Sequence, residues 1–422
     1  MTNYEDFKLD IQSNRKSQDG SILGKVHDFQ EKFKEHEMLG FNYYKKTPLM
    51  SICDREVVIY DRHNEQNRNV LMFGSNNYLG AIANQTVITK TMEATKEFGI
   101  GSGGVPALSG TTIYHNMLEE RLSKLTNFDD TMLFSSGFTA NLGVISGLIQ
   151  SNHLIIHDRL NHASLLDGSI MSGAKFIRYK HNDVLDLEKI IKENYKLYPN
   201  GILVVTDGVF SMDGDIANIP AILNVVRKYN ALLLIDEAHA TGVIGEKGAG
   251  TLSYFNILDR SNIILTGTLS KALGSIGGYI SASKEIIDFL RMYARSNLYS
   301  TSLPPAVCAS ALAILDYMID SNIVEVLQNK SKYLREGLTK NGYNILNTET
   351  AIIPIIIGDE YILTKITKDL LDRGIFISSL FAPVVPAKLS RLRINVMASL
   401  TKEDMDYFID VLNDLSIKYK WK

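Results

Sequence analysis

Five short apolar runs between about residues 130 and 280 constrain this 422-residue chain more than any other feature: Met132–Phe134, Leu154–Ile156, Gly201–Val205, Leu232–Ile235 and Ile263–Leu265. Helical patterning separates them. Runs this short, each stopped by polar or glycine residues, suit strands buried on both faces of a mostly parallel sheet between helices. Reactive groups in such sheets gather at the carboxyl ends of the strands, which is where Asp207, Asp236 and Thr268 fall. Beyond about residue 310 the pattern changes to helices with two strand-like runs, Ala351–Ile357 and Arg391–Val396, and a last helix from Thr401. This predicts a smaller α/β domain. Upstream, Val57–Tyr60 and Val70–Phe73 flank a polar stretch and predict a strand pair, followed by a loop, Ser75–Gly80. Ile22, Val26, Phe29 and Phe33 recur at helical spacing, so an amphipathic helix is expected, able to pack on its own body or on a second subunit. Residues 1–21 are polar and are expected to be flexible. The resulting division is an N-terminal arm and helix (1–65), a large domain (66–310) and a small C-terminal domain (311–422).

Composition removes several function classes. Lys plus Arg (44) nearly balance Asp plus Glu (47), so no basic field points to nucleic acid. Cys53 and Cys308 are the only cysteines, too few for a secreted disulfide framework. The first residues lack the basic-then-apolar order of a signal peptide, and no apolar run approaches the roughly 20 residues of a membrane helix. A cytoplasmic protein without a transmembrane segment is expected.

Two motifs invite readings that their surroundings reject. Gly99-Ile-Gly101-Ser-Gly103-Gly104 satisfies a dinucleotide fingerprint literally, but a fingerprint must follow a strand and open a helix. Here helical patterning (Thr86–Phe98) precedes it and Pro106 follows. A glycine-rich loop close to a ligand or a second chain is the better reading. Asp236-Glu-Ala-His239 spells the box of some nucleic-acid-dependent ATPases, yet the chain has no phosphate loop of the G-x-x-x-x-G-K-[ST] form.

A pyridoxal 5′-phosphate site fits the remaining residues. That cofactor needs a lysine for its aldehyde, an acid for its pyridine nitrogen, a phosphate cradle and a ring cover. Lys271 follows the run Ile263–Leu265 among small residues, where loss of solvation lowers an amine's pKa and makes it a better nucleophile and base. A surface lysine is the plain alternative. Asp236 ends the neighbouring run and could keep the pyridine nitrogen protonated, while His239 could reach the phenolic oxygen or simply cap or fill the core. Ser135-Ser136-Gly137-Phe138 joins a strand-like run to a helix (Thr139–Ile149), and free N–H groups at a helix start attract phosphate. His162 could stack on the ring or be a satisfied loop histidine. Ser211 lies within plausible reach, and Arg393 could grip an α-carboxylate in bidentate fashion. No metal site is suggested.

Taken together, these segments resemble the α-oxoamine synthases, a branch of the fold-type I pyridoxal phosphate enzymes with the aminotransferase class I/II fold. The branch includes serine palmitoyltransferase, glycine C-acetyltransferase and 8-amino-7-oxononanoate synthase. The resemblance spans about residues 40–416 and rests on eight segments in the family's order: Ser75–Gly80, Phe134–Phe138, Asn161–Ser164, Thr206–Gly214, Asp236–His239, Gly267–Lys271, Tyr299–Pro304 and Arg391–Ile394. It implies that Lys271 is the Schiff-base lysine, with Asp236 on the pyridine nitrogen, His162 on the ring and His239 at the phenolic oxygen. Gly137 and Phe138 would hold the phosphate through backbone N–H groups, with Thr268 adding a hydroxyl; Ser136 and Ser211 remain cofactor-binding candidates from their positions in the sequence. Thr301 would reach the phosphate of a second subunit, because family sites lie at a homodimer interface. Asn77 and Arg393 would orient the substrate carboxylate. The implied reaction is a decarboxylative Claisen condensation of a small amino acid (glycine, alanine or serine) with an acyl thioester carried by CoA or a carrier protein. The catalytic set would be Lys271, His162 and Asp236.

Two positions depart from the family pattern. Val105-Pro106 stands where a small residue and arginine are usual, and Leu400 where many relatives have histidine. Val105 supplies no charge to the segment that reads the substrate in some members, which disfavours a carboxylated acyl group. A lyase or aldolase acting without a thioester, and an inactive subunit that supports an active partner, are the alternative readings.

Overall fold

The computed structural model describes residues 20–38, 47–61 and 65–422. Thirteen strands carry the description: β1 (Glu56–Asp61), β2 (Gln66–Met72), β3 (Asp130–Phe134), β4 (Leu154–Asp158), β5 (Lys175–Tyr179), β6 (Ile202–Asp207), β7 (Leu232–Asp236), β8 (Ile263–Thr268), β9 (Gly278–Ala282), β10 (Ile352–Ile356), β11 (Ile375–Phe376), β12 (Ser378–Leu380) and β13 (Arg391–Asn395). Seven form the central sheet in the order β3-β9-β8-β7-β6-β4-β5. Each apolar run expected as a strand is one, and every residue of β4, β6 and β8 is buried. Burial on both faces explains why these segments are apolar without alternation; each fully buried aliphatic side chain contributes roughly 1.5–3 kcal/mol.

β5 and β9 extend the sheet beyond the expected runs. β5 is parallel to β4, whereas β9 runs antiparallel to both β3 and β8. Strand order reverses direction beside β8, so the sheet is mostly parallel rather than wholly so. The parallel ends at Asp207, Asp236 and the residues after Thr268 lie side by side, with Asp207 opposite Asp236 and Asp236 opposite Thr266.

The smaller C-terminal domain is built on β10-β13-β12, all antiparallel. Its last helix, Lys402–Tyr419, starts at the expected Thr401, whose hydroxyl accepts from Asp404 N. The β1–β2 hairpin joins this end of the molecule through β11, which pairs in parallel with β2. Arg55 binds Asp404 at 2.6 Å, Arg68 donates to Leu371 O at 2.9 Å, and Phe73 stacks on Phe408 at 4.8 Å. The expected boundary at 65/66 falls in the turn of that hairpin. The expected N-terminal helix is present at Ile22–Met38, with Ile22, Leu23 and Val26 exposed. Residues 1–19, most of the expected flexible arm, lie outside the described residues. Among the described residues no single helix is long and apolar enough to cross a membrane.

Candidate active site

A cavity of about 230 Å³ opens at the carboxyl ends of β6, β7 and β8 and is lined by Ser136, Gly137, Phe138, Asn141, His162, Asp207, Asp236, His239, Thr268 and Lys271, among others. Five separate stretches of chain thus meet at the strand ends.

One wall is the start of the Gly137–Leu148 helix. Ser136 caps it: its hydroxyl accepts from Thr139 N at 3.1 Å, and Thr139 Oγ1 accepts from Ser136 N at 3.0 Å. Gly137 and Phe138 N–H have no intramolecular acceptor among the described residues. Their positive end faces the cavity. The wall is tightly built, because a Cβ on Gly137 would meet Thr268 Cβ at 2.9 Å, and one on Gly278 would meet Ser136 O at 2.3 Å and Gly137 N at 2.5 Å.

The buried Asp236 carboxylate accepts from Ala238 N at 2.9 Å and from Asn141 Nδ2 at 2.7 Å. Asn141 also reaches Ser164 Oγ at 2.8 Å, which in turn meets His162 Nδ1 at 2.7 Å. His162 therefore presents a fixed ring to the cavity, edge-on to Phe138. The protein around that ring lowers its pKa by desolvation, against the pull of Asp236. Asp207 accepts the His162 N–H at 3.2 Å, and burial together with the Asp236 charge pushes its carboxyl well above the usual range. His239, bonded through Nδ1 to the buried Tyr78 hydroxyl at 2.8 Å, is held well below its usual pKa by burial and by the Lys271 and Arg393 charges.

Lys271 is the cavity's amine. Desolvation lowers its pKa to about 8, against the opposing attraction of Asp236. No hydrogen bond ties it to another side chain among the described residues, so the group is free to react or to change partners. Thr268 Oγ1 donates to Gly277 O at 3.0 Å and lies 2.8 Å from Ser270 Oγ.

The other expected residues sit outside this lining. Asn77 is buried, its amide donating to Cys53 O at 3.1 Å while Oδ1 has no partner among the described residues. Arg393 is buried on β13, with Nε and Nη2 unpartnered among the described residues. Ser211 is buried in the loop after β6. Thr301 lines a separate hollow of about 70 Å³ with Pro106, His115 and Ser302, and Val105 precedes the short helical turn Pro106–Gly110. Asn141, Tyr78 and Ser164 were not singled out from the sequence. Asn141 was findable in principle, since it stands four residues after Gly137 and so on the same helix face.

These residues fit pyridoxal phosphate on the structure's own terms. An open helix start suits a phosphate, a buried and doubly hydrogen-bonded carboxylate suits a pyridinium, and a desolvated amine suits an aldehyde. A glycine-lined wall leaves room for close approach.

The fold and the site together define a fold-type I pyridoxal phosphate transferase. The chain belongs to the aminotransferase class I and II family, whose model matches residues 68–412, and within it to the α-oxoamine synthases. It is 41% identical to the 8-amino-7-oxononanoate synthase of Geotalea daltonii over 349 residues, covering 82% of this chain and 88% of that one. It is 39% identical to the serine palmitoyltransferase of Sphingobacterium spiritivorum over 368 residues, covering 86% and 89%. Among solved structures, the serine palmitoyltransferase of Sphingomonas wittichii superposes with a TM-score of 0.88 at 28% identity, covering 95% of this chain and 99% of that one. A structure of SPT with the PLP internal aldimine gives the same TM-score and identity, covering 95% and 100%.

Proposed function

We propose that this protein condenses a small amino acid with an acyl thioester, using pyridoxal 5′-phosphate, to give an α-amino ketone, carbon dioxide and a free thiol. The observation that carries the proposal is the convergence of Lys271, Asp236 and the open helix start at Gly137 on one cavity. The likeness to chains named serine palmitoyltransferase and 8-amino-7-oxononanoate synthase supports a thioester as second substrate.

Bound there, the cofactor supplies an aldehyde for the substrate amine and a protonated ring that draws electrons away from Cα. Lys271 Nζ would hold it covalently, Asp236 would keep the proton on the pyridine nitrogen, and Gly137, Phe138 and Thr268 would hold its phosphate. His162 would cover the ring. His239, kept neutral by its surroundings, would face the phenolic oxygen.

The chain's own groups then account for proton handling and orientation. Lys271 Nζ, with a pKa near 8, is neutral often enough at physiological pH to take the Cα proton and is basic enough to hold it. The Arg393 guanidinium, whose Nε and Nη2 are unpartnered among the described residues, is suited to the substrate carboxylate. Fixing that carboxylate selects which Cα bond stands perpendicular to the ring, so it directs the chemistry as well as the binding. Asn77, with its free Oδ1, would stand on the same side.

The substrate set is glycine, alanine or serine with a CoA or carrier-protein thioester, and uncharged Val105 favours an acyl group without a second carboxylate. The site would be completed by a second copy of the chain, with Thr301 reaching the partner's phosphate; its place in a hollow apart from the Lys271 cavity supports this. The free cysteines Cys53 and Cys308 suit the cytoplasm.

A thiol-release screen tests the proposal. Free CoA should appear only when an amino acid and an acyl-CoA are both present. Turnover of the amino acid without any thioester would instead point to lyase chemistry.

A further inference from the structure

β13 carries two buried arginines on one face, because Arg391 and Arg393 are two residues apart on a strand. Their partners differ completely. Arg391, 2% exposed, donates from Nε to Leu389 O at 2.8 Å and from Nη1 to Met212 O at 3.0 Å, and it pairs with the Asp213 carboxylate. Arg393 leaves Nε and Nη2 without partners among the described residues. Its charge acts on Tyr78, whose hydroxyl is bonded at 2.8 Å to His239 of the cavity lining, and on Lys271 and His239 themselves. A buried guanidinium with free donors calls for an anion.

Met212 and Asp213 belong to the loop that leaves β6 at Asp207. The same loop supplies Val209 to the cavity lining, and Asp207 accepts the His162 N–H. At its far end the small domain holds it again: Gly214 O accepts from Thr350 Oγ1 at 2.9 Å and from Glu349 N at 3.2 Å. Gly214 has φ +75, and a Cβ there would lie 2.2 Å from Ile352 O. The loop is therefore clamped between the strand that carries Arg393 and the cavity wall. Arg391 is the charged part of that clamp.

We propose that Arg391 is a positioning residue for the amino-acid substrate: its grip on Met212 and Asp213 sets where Arg393 stands relative to the Lys271 cavity. This rests on Arg393 being the carboxylate anchor, as proposed above. Displacing a positioned group by about 1 Å can cost on the order of 100-fold.

The test titrates holoenzyme with glycine, alanine and serine, and with methylamine, ethylamine and ethanolamine, which lack the carboxylate. Binding is read from the visible absorbance of the bound cofactor. In Arg391→Lys and in Asp213→Asn, the dissociation constant for the amino acids should rise about 10- to 100-fold. Amine binding and cofactor content should stay at the wild-type level. Equal weakening of amines and amino acids, or no weakening of either, overturns the proposal; if Arg391→Lys fails to fold, Asp213→Asn decides. Arg393→Ala separates the two levels. If it keeps full amino-acid affinity, the anchor reading falls and takes the proposal with it. If it loses affinity while Arg391→Lys and Asp213→Asn do not, only the proposal falls.

Discussion

Asn141 donates to Asp236 Oδ2 across 2.7 Å and reaches Ser164 with the same nitrogen. The carboxylate proposed to serve a pyridinium is thus tied to the histidine proposed to cover the ring by a continuous chain, Asp236–Asn141–Ser164–His162. Removing a donor from a buried acceptor costs about 1–3 kcal/mol. Asn141→Ala should lower the unfolding free energy of the cofactor-free protein by that amount in urea. A double-mutant cycle with Asp236→Ala checks the assignment, because the loss should shrink once the carboxylate is gone.

Lys271 gives a pH signature with a defined sign. Its folded-state pKa is about 8, below the roughly 10.4 of an exposed lysine, so burial destabilises the protonated form. Stability of the cofactor-free protein should increase with pH across the window from about 8 to 10.4. Lys271→Met should stabilise that protein below pH 8 by about 1–3 kcal/mol, on a scale of roughly 1.4 kcal/mol per pKa unit, and have little effect at pH 10.5. Urea midpoints of wild type and variant against pH measure both. The variant should also lack the visible absorbance of lysine-bound cofactor.

His181 predicts the opposite slope. Burial pulls its pKa down, but hydrogen bonds to Asp158 (3.0 Å) and Asp215 (3.1 Å) outweigh that and raise it to about 10. A raised pKa stabilises the fold fully below the unfolded value near 6.5, and the gain is lost as pH climbs through 10. His181→Gln should therefore destabilise by about 2–4 kcal/mol at pH 6, the range for breaking a buried pair reduced for partial exposure. The difference should fade toward pH 10.5 in chemical denaturation.

Gly278→Ala should injure the proposed phosphate cradle from a distance in sequence. Its Cβ would meet the backbone at Ser136 and Gly137, and backbone atoms cannot swing aside like the end of a side chain. Cofactor affinity should fall at least about tenfold, corresponding to roughly 1.4 kcal/mol. Equilibrium dialysis of cofactor beside far-ultraviolet circular dichroism separates this from loss of fold.

Strands β4, β6, β7 and β8 were legible because burial on both faces erases polar residues from them. β5 was not, since as the edge strand it keeps Lys175 and Arg178 exposed. β9 hid behind small residues, Gly278 and Ser281 among them, that pack closely without marking a strand. At the site, Lys271, Asp236, His162 and His239 announced themselves by standing at strand ends, and the cavity brings them together. Asn141 sits inside an apolar helix, and its meaning comes only from which carboxylate that helix meets. The difference between Arg391 and Arg393 was equally invisible: identical side chains two residues apart, distinguished only by what the loop after β6 brings to one of them.

The reversed strand β9 also sets an order of assembly. β3 and the helix start at Gly137 emerge from the ribosome early, yet the strand that fills the place between β3 and β8 begins at Gly278. A nascent chain of 200 residues has the turn at Gly137, proposed above to hold phosphate, with no backing and an unfilled gap in its sheet. Because domains fold as units during synthesis and non-local strand pairing is slow, cofactor capture should be a late event in the making of this protein. Chains arrested before about residue 280 should be unable to retain it.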